Sequence, residues 1–246
     1  MIPIGDDNSD RTVTPVVNYL LIAANIAVFV LLQGMGANDR FTYAFSTVPQ
    51  EIVSGKDVVT PARTVKDPAS GESYRLPGLE PTPITVYLTL LVSMFMHGGI
   101  AHIAGNMLYL WIFGDNVENA LGHVRYLVFY LVCGVLASLA HVFTTAATHG
   151  NMLVPSLGAS GAISGVLAGY MLLFPGRRVR MMMGTGTTEM PAWVAIGVWF
   201  VFQVVAGTGL LGGDSQAGGV AYAAHVGGFV AGLILVKMFA ARQASR

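Results

Sequence analysis

The stretch Tyr126–Gly176, YLVFYLVCGVLASLAHVFTTAATHGNMLVPSLGASGAISGVLAGYMLLFPG, runs for 51 residues without a charged side chain. A bilayer's hydrocarbon core is crossed by about 20 apolar residues, so this run is long enough to cross twice and must turn in between. His149, Gly150, Asn151 and Pro155 supply the turn, because glycine, proline and asparagine punctuate apolar segments. The run therefore reads as one span over about 126–146 and another over about 160–174.

Working outward, the same test finds charge-free intervals between Arg11 and Asp39, between Glu80 and Asp115, and between Asp214 and Lys237. Only 11% of the residues are charged and 54% are hydrophobic, whereas an average soluble domain is about 25% charged. A first span over 16–33 starts behind Pro15 and ends at Gly34. The first ten residues are acidic and no small-residue cleavage site follows the apolar run, so this span reads as retained. Loop 1, about 37–100, carries Pro61, Pro68, Pro77, Pro81 and Pro83 and is expected to hold little regular structure. Its end, Ile84–Met96, reads as an interfacial segment that breaks at Gly98 and Gly99 before a span over 101–119. Spans over 190–206 and 221–239 complete the pattern. The expected architecture is an all-α membrane protein, one domain over 1–246 built as a bundle of six transmembrane helices.

Lys and Arg concentrate on the inner side of a membrane. Arg125, Arg177, Arg178, Arg180, Lys237, Arg242 and Arg246 all fall on one side of these spans. Both termini are thus expected in the cytosol of a multi-pass protein of the cell (inner) membrane, with loop 1 outside. Net charge is zero and no basic stretch interleaves with aromatics, which argues against a nucleic-acid partner. A single cysteine, Cys133, precludes an intrachain disulfide.

A polar side chain inside a span is costly unless partnered and is a functional candidate by default. His102 and Asn106, four apart on one helix face, open the second span; Ser160 opens the fourth within Gly158-Ala159-Ser160-Gly161; His225 lies in the sixth within Ala224-His225-Val226-Gly227-Gly228. All four fall within about two turns of the outer end of an even-numbered span, so they share a depth. Gly161, Gly165 and Gly169 face the fourth span's neighbour at four-residue spacing, and Gly228 and Gly232 answer from the sixth. Such stripes let helix backbones approach closely, bringing Ser160 Oγ and a His225 ring nitrogen within hydrogen-bond range. That pairing turns a serine into a nucleophile. Free N–H groups at the start of the Ser160 helix favour a developing oxyanion, and His102 and Asn106 can add donors. No acidic third member lies at this depth, so a Ser-His dyad is expected; Asp214 lies on the outer side, eleven residues before His225.

His97-Gly-Gly-Ile-Ala-His102-Ile-Ala-Gly-Asn106, Gly158-Ala-Ser160-Gly161 and Ala224-His225-Val-Gly-Gly228, in this order, resemble the three signatures of the rhomboid proteases. The resemblance implies a rhomboid-type intramembrane serine endopeptidase. It makes Ser160 the nucleophile, His225 the general base, His102 and Asn106 the oxyanion stabilisers, and His97 a support within loop 1. Gly158, Gly161 and Gly228 would be structural supports. The fifth span is implied as a gate for transmembrane protein substrates arriving from the lipid bilayer. Two departures stand out: loop 1 has no Trp-Arg pair, and Ser164 stands where some members place a tyrosine against the catalytic histidine.

Rival readings are weaker. His97, His102 and His225 could in principle hold a metal, but there is no His-Glu-x-x-His and no second cysteine, so no metal or cofactor is expected. A transporter would place polar residues at midplane within repeats, whereas these cluster near one surface. A client-binding relative without activity would lack the serine or the histidine, and both are present. His123, His141 and His149 have no partner legible in the sequence.

Overall fold

The computed structural model describes residues 2–66, 71, 73–207 and 222–240. An N-terminal strand β1 (Ile2–Asp6) precedes α1 (Val16–Ala27), which continues as one π-helical turn to Leu32. Loop 1 then holds α2 (Asp39–Phe45), α3 (Pro49–Ser54), the hairpin β2 (Arg63–Lys66) and β3 (Ser73–Leu76), and α4 (Thr89–Val92) flanked by 3-10 turns. The long elements follow: α5 (Ile100–Leu121), α6 (His123–Ala147), α7 (Ser160–Leu173), a hairpin of β4 (Arg178–Met183) and β5 (Gly186–Pro191), α8 (Ala192–Gly207) and α9 (Tyr222–Phe239).

The fold is mostly helical. By length and composition α6 and α9 can each cross a membrane, and Val86–Phe95 with α5 makes a third candidate bent by 79°. Val16–Leu32, α7 and Ala192–Val205 are apolar but shorter. The bend falls at Gly98 and Gly99, where the sequence expected a break.

Three expectations need correction. The chain is not purely helical, because β1, β4 and β5 form an antiparallel sheet. The signal was present as alternation: Val179 and Met181 point inward while Arg178 and Arg180 are exposed, the period of a half-buried strand. For the same reason the helix expected from residue 190 starts at Ala192, since Met190 and Pro191 are paired with Val179 and Arg178. Loop 1 is also more ordered than its prolines suggested. Pro49 sits in the first turn of α3, where its missing N–H costs nothing, and Thr47 pairs with Ser156 to tie loop 1 to the loop before α7.

Helix α7 is the central element. Every residue from Gly161 to Tyr170 is buried, with α5, α6, α8 and α9 around it. Its 14 residues span only about 21 Å at 1.5 Å per residue, less than a hydrocarbon core of about 30 Å. Small residues set the packing. A Cβ at Gly228 would stand 2.0 Å from the Gly161 carbonyl oxygen, and one at Gly232 would stand 2.3 Å from that of Gly165. On the α6 side, a Cβ at Gly161 or Gly165 would lie 2.6 Å from the Cβ of Ala137 or Cys133.

The opposite end of α7 is clamped by polar contacts. Tyr170 Oη donates to Asp6 Oδ2 at 2.6 Å and Asn116 Nδ2 donates to the same oxygen at 2.8 Å. Burial pushes the Asp6 carboxyl up to about 6, against the lowering effect of Tyr170. Glu118, fully buried near the end of α5, accepts from the backbone N–H groups of Val17 (3.0 Å) and Asn18 (2.7 Å), capping the start of α1. Tyr126 Oη in turn donates to Asn18 Oδ1 at 2.7 Å. These bonds explain why α5 continues past charged Asp115 and Glu118: each carboxylate is met by a partner, Arg11 in the case of Asp115 (2.8 Å). The N-terminal strand and the β4–β5 hairpin share this end, opposite Ser160.

Gly232→Ala is expected to lower the thermal unfolding midpoint in detergent micelles, by the equivalent of about 1–3 kcal/mol for overpacking. Gly197→Ala, whose Cβ would meet nothing within 4 Å, should leave the midpoint unchanged or slightly raised. Equal effects at the two sites would refute the backbone-contact account of α7–α9 packing.

Candidate active site

Ser160 begins α7, and no side chain caps that first turn. Gly158, two residues before, has φ +126, a conformation that L side chains rarely adopt. A Cβ there would also stand 3.0 Å from His102 Cε1 and Nε2 and 3.8 Å from Ser160 Oγ. Only glycine lets the chain turn beneath the imidazole into the helix. Its N–H donates to the Ser93 carbonyl at 2.9 Å, which fixes the turn to loop 1.

The close approach of α7 and α9 brings His225 Nε2 to 2.7 Å from Ser160 Oγ. Its other ring nitrogen, Nδ1, lies 2.6 Å from Gln203 Oε1 on α8. The Trp199 ring, one turn earlier on α8, is 6.2 Å from the imidazole. The two ring nitrogens of His225 are thus taken by Ser160 and Gln203, and the Ser164 hydroxyl donates to the Ser160 carbonyl at 2.7 Å. Asp214 lies outside the described residues.

Helix α5 contributes His102 and Asn106 from one face. Both line, with Ser160, His225 and Gln203, a cavity of about 580 Å³ that also takes in Gly98, Tyr109, Pro155 and Trp199. His102 Nδ1 accepts from the Gly98 N–H at 3.2 Å, which leaves Nε2 as the N–H of a neutral ring. Asn106 is 8% exposed and its Nδ2 has no protein partner. A buried amide without a partner is costly, and this one faces the cavity beside the serine. His97 is fully buried one turn before α5. Its backbone is held by Gln33, which accepts from the His97 N–H at 2.8 Å and donates to its carbonyl at 3.0 Å, and its ring packs edge-on against His102 with centroids 5.1 Å apart.

The structure thus brings together Ser160, His225, His102 and Asn106, with His97 and Gly158 behind them. Gly161 and Gly228 meet each other directly. Among the described residues, no three His, Cys, Asp or Glu side chains converge as a metal site would require. Sequence reasoning missed Gln203. Its signal was the one used for the others, a strongly polar side chain in an apolar helix. It missed too that His123 has a partner, Glu118, at 2.5 Å.

Chemically, the arrangement pairs a hydroxyl with a basic nitrogen. It adds an uncapped helix start, an imidazole N–H and an unpartnered amide that can face an oxygen gaining charge. That is the equipment of acyl transfer.

A family model described as the Rhomboid domain matches residues 85–242. Over 204 residues the chain is 31% identical to "Rhomboid protease GluP" of Bacillus subtilis (strain 168), a match covering 81% of this chain and 33% of that protein. It is 30% identical over 151 residues to "Rhomboid protein 1, mitochondrial" of Saccharomyces cerevisiae, covering 61% of this chain and 41% of that one. The "Presenilin-associated rhomboid-like protein, mitochondrial" of Homo sapiens is 33% identical over 119 residues, covering 44% and 31% respectively. The chain thus aligns with about a third to two fifths of the length of these relatives.

If the Asn106 amide acts on a developing oxyanion, Asn106→Ala should lower kcat for an amide substrate by about 10²–10³-fold with KM little changed. Weaker binding at constant kcat would assign Asn106 to ground-state contacts instead.

Proposed function

The chain belongs to the rhomboid family, and from that premise we propose that it is an intramembrane serine endopeptidase cutting client membrane proteins in or beside their transmembrane helices. The observation that carries the reading is the 2.7 Å contact of Ser160 Oγ with His225 Nε2 at the wall of a cavity that also holds Asn106 and His102.

The steps follow from that geometry. Ser160 Oγ attacks the scissile carbonyl carbon as His225 Nε2 takes its proton. The carbonyl oxygen, now anionic, is met by the Asn106 amide, by His102 and by the first-turn N–H groups of α7. Collapse breaks the C–N bond, and His225 gives its proton to the leaving amine. Water then adds to the acyl-enzyme as His225 again takes a proton and returns it to Ser160. The protein's own side chains supply every acid and base needed.

The wider reading is a single domain of six spans with both termini in the cytosol, the cavity opening to the outer side of the cell membrane, and loop 1 beside it. The clustering of Arg177, Arg178 and Arg180 at the end away from Ser160 supports that orientation. Water reaches the serine through the cavity of about 580 Å³ that Ser160 lines.

A second cavity, of about 340 Å³, supports lateral access between α5 and α8. It is lined by Tyr109 and Phe113 of α5 and by Ala195, Ile196, Trp199, Phe202 and Gln203 of α8. Tyr109, Leu167, Trp199 and Gln203 line the catalytic cavity as well, so the two are neighbours across a thin wall. Unlike α9, α8 meets its neighbours through bulky side chains, with Phe200 stacked on Phe229 at 4.1 Å. Such contacts give way more easily than backbone-to-backbone packing.

Ser160→Ala and His225→Ala should each abolish cleavage of a transmembrane substrate in proteoliposomes while retaining the wild-type unfolding midpoint, and the double variant should lose no more than either alone. Wild-type cleavage by Ser160→Ala would refute the protease reading. Trp199→Ala or Phe202→Ala should speed cleavage of that substrate and lower the unfolding midpoint modestly. A crosslink between the outer ends of α5 and α8 should slow it. Full-rate cleavage by the crosslinked enzyme would place the entrance elsewhere.

A further inference from the structure

Gln203 is the polar group at the site for which the dyad has no use. It is 7% exposed on an otherwise largely apolar helix. A buried amide in such a place costs free energy unless it is bonded. Here its oxygen lies 2.6 Å from the one ring nitrogen of His225 that Ser160 leaves free.

A neutral imidazole carries one N–H and one bare nitrogen. An amide oxygen only accepts, so it selects the tautomer with the proton on Nδ1 and the lone pair on Nε2, facing Ser160 Oγ. In the other tautomer Nε2–H would face the serine and two lone pairs would oppose each other at Nδ1. Ser164 does not take this part: its hydroxyl donates to the Ser160 carbonyl, and the atom that meets Nδ1 is Gln203 Oε1. An amide also suits a bilayer better than a carboxylate, since no charge has to be taken out of water.

Trp199 and Gln203, four residues apart, share one face of α8. That face lines both cavities, whereas Val201 and Val204 are exposed.

We propose that Gln203 is a positioning residue, accepting a hydrogen bond from His225 Nδ1–H and so holding the base in its working tautomer and orientation, and that its place on α8 ties this readiness to α8 being seated. The proposal rests on the reading of Ser160 and His225 as a catalytic dyad. A substrate helix parting α5 from α8 would strain the bond, and its re-formation would restore the base once the substrate is in place.

The test uses the full chain in detergent micelles with a small water-soluble fluorogenic peptide, for which no lateral opening is needed. Gln203→Leu should lower kcat by at least about tenfold, a part of the 10²–10⁴-fold that general-base catalysis supplies, with KM little changed. Gln203→Glu, which keeps an acceptor at the same place, should retain most of the turnover. A residue that merely latches α8 would behave oppositely: Gln203→Leu would leave the small peptide unaffected and speed cleavage of a transmembrane substrate, which would overturn the proposal. The wild-type enzyme gives an independent readout. With ¹⁵N-labelled histidine and His225 assigned by its loss in His225→Ala, the spectrum should show protonated Nδ1 and bare Nε2. The Nε2–H tautomer would overturn the proposal however the variants fold. If Ser160→Ala cleaves like wild type, the dyad falls and this role with it; if Ser160→Ala is inactive and Gln203→Leu matches wild type, only the role of Gln203 falls.

Discussion

The backbone-to-backbone contact of α7 and α9 is the constraint on which the rest depends. Gly161 and Gly165 offer their carbonyl oxygens to Gly228 and Gly232 with no room for a Cβ, and that spacing sets the 2.7 Å between Ser160 Oγ and His225 Nε2. In hydrocarbon, helices are not pressed together by the hydrophobic effect, so close packing of small residues has to supply the attraction. The same packing that stabilises the bundle therefore also fixes the two atoms on which the proposed reaction rests. It leaves α7 buried along most of its length and unable to move without the fold.

The two ends of α7 are treated differently. At the far end, Tyr170, Asp6, Asn116 and Arg177 bond to one another, and Glu118 caps α1. Polar groups there are satisfied and hold the N-terminal strand in place. At the near end, Asn106 Nδ2 and both His97 ring nitrogens have no protein partner. Leaving such groups unpaired costs stability, and of these only the Asn106 amide lines the cavity where the proposed reaction would bring a substrate oxygen. Rigid, satisfied contacts at one end thus support an end that holds the cavity, and α8, packed through bulky side chains, borders it.

Much of this was legible in the sequence. Ser160, His225, His102 and Asn106 stood out as polar residues at one depth, and the four-residue glycine spacing indicated which helices meet. What stayed hidden depends on long-range pairing. Strand β4 was counted only for its arginines, and its partner β1 lies over 170 residues earlier. The role of Glu118 was equally hidden, because the N–H groups that it caps lie about 100 residues away. Pro-rich loop 1 hid α2 and α3 because short helices carry too little periodicity to register. Gln203 was visible to the filter that found the dyad, but nothing local indicates that it reaches across to His225.

The most direct measurement is the reaction of the detergent-solubilised wild-type chain with a fluorophosphonate probe, the adduct being located by mass spectrometry. A serine made nucleophilic by an adjacent imidazole should form a single covalent adduct, at Ser160, that is lost when His225 is replaced by alanine. No adduct, or one on another serine while Ser160 stays unmodified, would contradict the account.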